Sequence, residues 1–181
     1  YLEFGDRIVD VLKENQGMPR PFPIHLALKW DASDNSRKTL AEYTCFPEIS
    51  LPDIRRRLRE NFYTGDRGTP LEIVEAVLLL AAGKADPSRW IYFEAHEPDN
   101  PRTSFDINLY RAGLHMKELY PLLLDMVRHY AVPSGRFQEI YDAVNSQLFG
   151  HLTGGSDRQG RDFLTVYFGE KGSPDTDAGG P

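Results

Sequence analysis

The chain has 181 residues, of which 21 are Lys or Arg and 27 are Asp or Glu, so its formal net charge is −6. This length fits one domain with a sizeable core, and the acidic balance argues against binding to nucleic acid or to an anionic membrane, because both call for a basic surface. The single cysteine, Cys45, excludes an internal disulfide and a structural zinc site built from several thiolates.

The sequence carries no recognisable membrane or export signal. The longest strongly apolar run, Val74 to Ala82, is broken only by Glu75 and is well short of the roughly 20 residues that a membrane-spanning helix needs. The chain opens without a charged segment followed by an apolar stretch and a small-residue cleavage site. With the lone cysteine, these features predict a cytoplasmic protein that has no membrane span and no nucleic-acid partner.

Hydrophobic periodicity predicts helices and hairpins that alternate along the chain. The predicted helices, whose apolar residues recur at three- and four-residue spacing, cover 2–15, 50–62, 71–82, 114–132 and 137–148. The predicted strands, where apolar residues alternate with polar ones between turn-forming residues, cover 24–30, 39–46, 90–96, 104–110, 150–153 and 163–168. The 71–82 helix is apolar almost all round, so we expect it to be buried.

The predicted order is helix, hairpin, helix pair, hairpin, helix pair, hairpin. Acidic turn residues at Asp34, Asp99 and Asp157 recur at intervals of about 60 residues, as expected for a repeated unit. Short links between such units predict one α+β domain over 1–170, with an antiparallel sheet or barrel and all helices on its outer face. Residues 171–181 have no apolar anchor, which predicts a disordered tail.

Alternation along the strands predicts which side chains face the helices and which lie on the opposite face. The residues expected on the helix side are Ile24, Leu26, Leu28, Trp30, Ile91, Phe93, Ala95, Phe105, Ile107, Leu109, Leu164, Val166 and Phe168. Those expected opposite are His25, Lys29, Glu42, Thr44, Trp90, Tyr92, Glu94, His96, Asp106, Asn108, Tyr110, Phe163, Thr165 and Tyr167. An open antiparallel sheet often shows a merely polar face to water, but so many aromatic residues on that face favour a ligand cavity or a protein interface.

The repeated helix pair and hairpin, with aromatic, basic and carboxylate side chains opposite the helices, resembles the ABBA-type (PT-barrel) aromatic prenyltransferases. The segment 154–168, GGSDRQGRDFLTVYF, is similar to the last hairpin of that superfamily, where a polar turn precedes a strand that places a tyrosine in the barrel lumen. The family barrel contains more units than the three hairpins predicted here. The chain would therefore form a homodimer, close a smaller barrel or remain an open sheet.

The resemblance implies transfer of a prenyl group from an allylic diphosphate to a small aromatic acceptor, with no cofactor expected. It implies that Glu94 or Glu42 deprotonates or orients the acceptor, and that Lys29, with His25 nearby, meets the diphosphate. The resemblance implies that Tyr92, Tyr110 and Tyr167 line the site and shield an allyl cation. The other side chains implied to bind substrate are Trp90, His96, Asp106, Asn108, Phe163 and Thr165.

Two alternatives stay open beside the enzyme hypothesis. His96 with Glu94 and Asp106 suggests a metal site, but a set with one histidine and two carboxylates is more typical of a hydrogen-bonded polar cluster, so no metal is expected. The rival function is a non-catalytic binding or assembly protein that uses the aromatic sheet face for a partner or a second copy. The lone cation Lys29 on that face favours this rival, whereas Glu94 and the tyrosines favour the enzyme.

Overall fold

The structure is a computed structural model that describes residues 2–3, 14–15, 20–31, 33–63 and 68–169. Its strands are β1 (Leu2–Glu3), β2 (Phe22–Asp31), β3 (Asp34–Phe46), β4 (Ile91–His96), β5 (Thr103–Asn108), β6 (Phe149–Ser156) and β7 (Asp162–Phe168). Its α-helices are α1 (Leu51–Arg57), α2 (Gly68–Ala82), α3 (Tyr120–His129) and α4 (Ser134–Val144). A π-helical turn, Leu58–Phe62, extends α1.

The seven strands form one antiparallel sheet in which the spatial order follows the chain order. The six longer strands make three hairpins, with α1 and α2 between the first and second and with α3 and α4 between the second and third. The predicted α+β class and the three hairpins separated by helix pairs are confirmed. The described strands leave β1 and β7 as edges, so this sheet is open and is not closed into a barrel.

Local sequence explains where the helices begin and end. The Ser50 hydroxyl accepts the backbone N–H of Asp53 at 3.2 Å and so caps α1. The predicted 114–132 helix is in fact a 3₁₀ turn, Met116–Leu119, followed by α3, because Pro121 fits the first turn of a helix but not its interior. The helix predicted over 2–15 is wrong at Leu2–Glu3, which pair with β2. Residues 4–13 of that prediction and the predicted tail at 171–181 lie outside the described residues.

One face of the sheet packs on the helices and forms the main core. Its largest fully buried side chains are Ile54, Leu58, Leu78, Tyr92, Phe105, Ile107, Leu109, Leu114, Leu119, Phe149 and Leu152. Burial of these apolar side chains is the main force that holds the helix pairs on the sheet. The expectation that α2 is buried all round is wrong, because Leu79 and Leu80 are 54% and 44% exposed.

The predicted facing is confirmed for β5 and β7 but wrong for β4. Directly paired residues share a face, and Tyr92 pairs with Ile107 while Glu94 pairs with Phe105. The helix side of β4 therefore carries Glu94 and the buried rings of Trp90 and Tyr92. Both alternating sets of this strand contain large apolar side chains, and burying the rings of Trp90 and Tyr92 removes more apolar surface from water than burying the smaller apolar side chains of the other set.

Three further expectations about facing need correction. Glu42 and Thr44 on β3 pair with His96 and Glu94, so all four lie on the helix side of the sheet. Ile24 packs instead with Phe22 and Cys45 in a small cluster on the opposite face, because the pairing of β2 with β3 shifts register between Pro23 and His25. A shift of one residue moves the side chains that follow it to the opposite face from the one that simple alternation predicts.

Candidate functional site

The sheet face opposite the helices, here called the second face, holds a groove that crosses six strands. The groove has a volume of about 290 Å³. Side chains from β2 to β7 and from the turn before β5 line it, and these are Lys29, Tyr43, Phe93, Ala95, Arg102, Ser104, Asp106, Thr153 and Tyr167. The second-face groove therefore combines cations, one carboxylate and aromatic rings within one concave surface.

Asp106 is the carboxylate of this groove, and β6 orients it through two hydrogen bonds. The ring Nδ1 of His151 lies 2.9 Å from Asp106 Oδ1, and the Thr153 hydroxyl donates to Asp106 Oδ2 at 2.6 Å. The other ring nitrogen of His151, Nε2, lies 3.2 Å from the Asn108 side-chain amide. An ionised carboxylate only accepts hydrogen bonds, so Nδ1 of His151 donates, and Nε2 of the neutral ring accepts from Asn108.

A buried carboxylate, Glu97, gathers three cations at one end of the groove. Its side chain is 2% exposed. It accepts hydrogen bonds from Lys29 at 2.7 Å, Arg102 at 2.9 Å, Arg158 at 3.0 Å and Asn100 at 2.7 Å. Three cations around one carboxylate leave a surplus of two positive charges in what we call the cation cluster.

The cation cluster keeps Glu97 ionised. Burial by itself would raise the pKa of this carboxyl, but the hydrogen bonds that it accepts outweigh burial and lower its pKa to about 2. The cluster opens to a second cavity of about 460 Å³, also lined by Asp157 and Gln159. Asp157 is paired with Arg161, so it does not cancel the surplus charge. Lys29 and Arg102 line both cavities, which joins the cation cluster to the second-face groove.

Tyr43 and Tyr167 line the groove, and further aromatic rings contact them on the second face. The rings of His25 and Tyr43 stack with centroids 4.0 Å apart. Nearer to β7, the His151 ring makes edge contacts with Tyr110 and Tyr167, at centroid distances of 5.4 and 6.0 Å. These flat surfaces suit an aromatic or allylic ligand, which stacks on ring faces and edges.

The structure brings together only part of the predicted site. The residues that share the second face or contact its groove are His25, Lys29, Asp106, Asn108, Tyr110, Phe163, Thr165 and Tyr167. The residues on the helix side are Glu42, Trp90, Tyr92, Glu94 and His96. The two glutamates expected to act on an acceptor are thus on the wrong side of the sheet for this groove.

Glu94 is instead part of an ion pair between β4 and α1. Its two carboxylate oxygens each accept from the Arg57 guanidinium at 2.6 Å, and one also accepts from the Tyr92 hydroxyl at 2.9 Å. The Arg57 guanidinium also lies over the ring of Phe46, 4.0 Å from its centroid. Burial, and then the nearby Glu94 charge, raises the pKa of Tyr92. This arrangement anchors the first helix after the hairpin to the sheet.

Several residues of the groove, of the cation cluster and of their surroundings on the second face were missed by the sequence analysis. Glu97 and Arg102 fall in the predicted turn after β4, and Arg158 falls in the predicted turn after β6. Tyr43 was assigned to neither face, and His151 lies in a glycine-rich strand of which the sequence predicts only the first half. His151 and Thr153 are two residues apart on β6, so they lie on the same face of the sheet. They pair with Asn108 and Asp106 on β5. This alternation is the sequence signal that could have identified both residues as partners of Asp106.

Neither a multidentate metal cluster nor a membrane-spanning helix occurs in the part of the chain that the structure describes. No three His, Cys, Asp or Glu side chains in that part are grouped so as to hold a metal ion. Helices within the same described ranges are too short or too polar to cross a membrane.

No protein-family model, curated protein or solved structure matches this chain.

Proposed function

We propose that the second face binds an allylic diphosphate and an aromatic acceptor and transfers the prenyl group between them. The observation that carries the proposal is the continuity of the cation cluster with the groove, since Lys29 and Arg102 line both. A diphosphate at the cation cluster would extend its prenyl chain along the aromatic wall. The charged end of the ligand then lies among the cations, and its apolar chain lies against aromatic side chains.

The cation cluster suits the leaving group of such a reaction. Two guanidinium groups and one ammonium offer charge-assisted hydrogen bonds to phosphate oxygens, and their attachment to Glu97 fixes them in place beforehand. When the allylic C–O bond breaks, its electron pair stays on the diphosphate oxygen. Positive groups already held at that position stabilise the new charge without reorganising.

The rest of the groove suits the allyl cation and the acceptor. Tyr43, Phe93 and Tyr167 present ring surfaces that stabilise a cation through their π faces, and Asp106 adds a negative charge in the same groove. The acceptor carbon then forms the new C–C bond and loses its proton. In this proposal Asp106 accepts that carbon-bound proton, so it replaces Glu94 and Glu42, which the sequence analysis had expected to act on the acceptor.

Product formation from dimethylallyl diphosphate and a panel of phenols and indoles, measured by mass spectrometry, tests the proposal. Wild type is expected to form prenylated products, and Lys29→Gln and Arg102→Gln are expected to lower turnover by about tenfold or more, because each removes a charged hydrogen-bond donor. Arg136→Gln is the matched control, since this exposed cation on α4 pairs with nearby Glu139 and lines neither cavity. Thermal melts of all variants separate lost turnover from lost folding.

The same preparations distinguish the rival function. A non-catalytic assembly protein would form no product with any acceptor, and alteration of the second face would change its oligomeric state on a sizing column. That combination of results would overturn the proposed transferase.

A further inference from the structure

Resting on the proposed function, we infer that His151, held by Asp106, is the group that accepts the hydroxyl proton of a phenolic acceptor. The two residues come from neighbouring strands, and their side chains meet on the second face beside the groove. His151 is 23% exposed and Asp106 is 25% exposed, so both are sheltered from bulk water and still within reach of a ligand.

The hydrogen bonds leave Nε2 as the basic nitrogen of the His151 ring. Asp106 accepts from Nδ1 at 2.9 Å, which fixes the proton of the neutral ring on that nitrogen. The lone pair of Nε2 then points to the Asn108 amide, 3.2 Å away. This bond is at the long end of the range for hydrogen bonds, so an acceptor hydroxyl replaces the amide at small cost.

Asp106 is placed to stabilise the imidazolium that proton transfer creates. Thr153 donates to its second oxygen at 2.6 Å, which locks the orientation of the carboxylate toward His151. Among the described residues, Tyr110, from the turn after β5, and Tyr167, from β7, also contact the ring. Both are edge contacts of neutral rings, so Asp106 supplies the charge that balances His151 when it is protonated.

The proton moves from the phenol oxygen to Nε2 of His151. The phenol O–H bond breaks and its electron pair stays on oxygen, while a new N–H bond forms at Nε2. The products are an imidazolium paired with Asp106 and a phenolate whose ring carbons are more nucleophilic toward an allyl cation. The arrangement therefore favours acceptors with an ionisable hydroxyl. An arene without such a hydroxyl cannot be deprotonated by His151, so its reaction rate is not increased.

Nitrogen NMR of ¹⁵N-histidine-labelled protein, with 4-nitrophenol as the probe, tests this inference without turnover. In the free wild type, spectra taken at a pH where the His151 ring is neutral are expected to show the Nδ1–H tautomer. Saturating 4-nitrophenol, at a pH where the free probe is mainly protonated, is expected to convert it to the imidazolium and to produce the visible absorbance of the phenolate. A free protein in the Nε2–H tautomer, or His151 signals that do not respond to the probe, would overturn the inference.

Variants show whether the histidine or the cation cluster ionises the probe. His151→Gln and Asp106→Asn are expected to lose the phenolate absorbance and, with a phenolic acceptor, to lower turnover by about 100-fold. His96→Gln, at an exposed position on the helix side, is the control that should keep both. Phenolate absorbance that survives in His151→Gln would overturn the inference, because Lys29 and Arg102 would then be its cause.

The two proposals fail separately. Wild type that protonates His151 with 4-nitrophenol but makes no prenylated product would keep this inference and end the proposed transfer. Wild type that makes product while His151 stays neutral with the probe bound would keep the transfer and end the inference.

Discussion

The ammonium of Lys29 on β2 lies 2.7 Å from a carboxylate oxygen of Glu97, just after β4. The two residues are 68 positions apart in the chain, so the contact forms only when the first hairpin pairs with the second. Arg158, which is 61 positions from Glu97, joins them from the third hairpin. The cation cluster is thus a product of the whole fold, and an acidic chain obtains a local positive surface through it.

Removing the Glu97 charge is expected to destabilise the protein strongly. Glu97→Gln leaves Lys29, Arg102 and Arg158 close together with no counter-charge, and loss of one partner of a buried ion pair costs about 3–5 kcal/mol. Urea unfolding measures this free energy. Glu139→Gln, which breaks an exposed pair with Arg136, is expected to change it by less than about 1 kcal/mol. Equal effects of the two substitutions would show that the cluster is not coupled to folding.

Stability is expected to fall in acid because of the same residue. The pKa of the Glu97 carboxyl is about 2 in the folded protein, below its ordinary 4.5. The unfolded chain therefore binds a proton more readily, so the stabilisation is fully present above about pH 4.5 and is lost as the pH falls toward 2. Its size is about 3 kcal/mol, since one pKa unit corresponds to about 1.4 kcal/mol.

Comparison with Glu97→Gln isolates this contribution from that of other acidic residues. The free-energy difference between wild type and the variant, followed by urea unfolding, is expected to shrink as the pH falls through that range. A difference that stays constant from neutral pH to pH 3 would contradict the assignment.

Glu94 is expected to matter for stability and not for ligand binding. Glu94→Gln removes the charge that pairs with the Arg57 guanidinium at 2.6 Å, which costs about 1.5–3 kcal/mol, the range for hydrogen bonds to charged groups. Thermal melts are expected to show this loss, while titration with inorganic pyrophosphate gives the wild-type affinity. A folded variant with normal stability and lost pyrophosphate binding would mean that Glu94 serves the ligand site.

The two phenylalanines that flank the sheet on opposite sides should respond differently to truncation. Phe105→Ala empties a fully buried position of the main core and is expected to cost about 3–5 kcal/mol. Phe93→Ala removes a half-buried side chain beside the small cluster of Phe22 and Cys45, and its effect on the melting temperature is expected to be smaller. If Phe93→Ala is the more damaging change, then the facing of β4 described here is inverted.

The architecture was predictable because its signals are local. The alternation of apolar residues along the strands and the glycine- and proline-rich turns all lie within a few residues of the structure that they determine. The facing of β4 was not predictable, because both of its alternating sets contain large apolar side chains and Arg57, the partner of Glu94, is 37 positions away. The cation cluster and the contact between Asp106 and His151, 45 positions apart, likewise depend on strand pairings that periodicity does not fix.

A glycine in the hairpin motif is expected to be required for packing. A Cβ atom at Gly154 would lie 2.5 Å from the Tyr63 hydroxyl and 2.8 Å from the Phe105 ring, so Gly154→Ala is expected to cost about 1–3 kcal/mol through overpacking. Gly135 in α4 has open space around it, and Gly135→Ala is expected to be neutral or slightly stabilising. Chemical denaturation of both variants measures the contrast, and an unaffected Gly154→Ala would contradict the close packing of β6.

Calorimetric titration with dimethylallyl S-thiolodiphosphate, a donor analogue that does not react, tests the central claim most directly. Wild type and Arg136→Gln are expected to bind it with equal affinity, while Lys29→Gln and Arg102→Gln, once shown to be folded, bind at least about tenfold more weakly. Added salt is expected to weaken wild-type binding, because the cation cluster supplies much of the attraction. Absence of binding to wild type, or equal binding by all four proteins, would contradict the assignment of the second face as a diphosphate site.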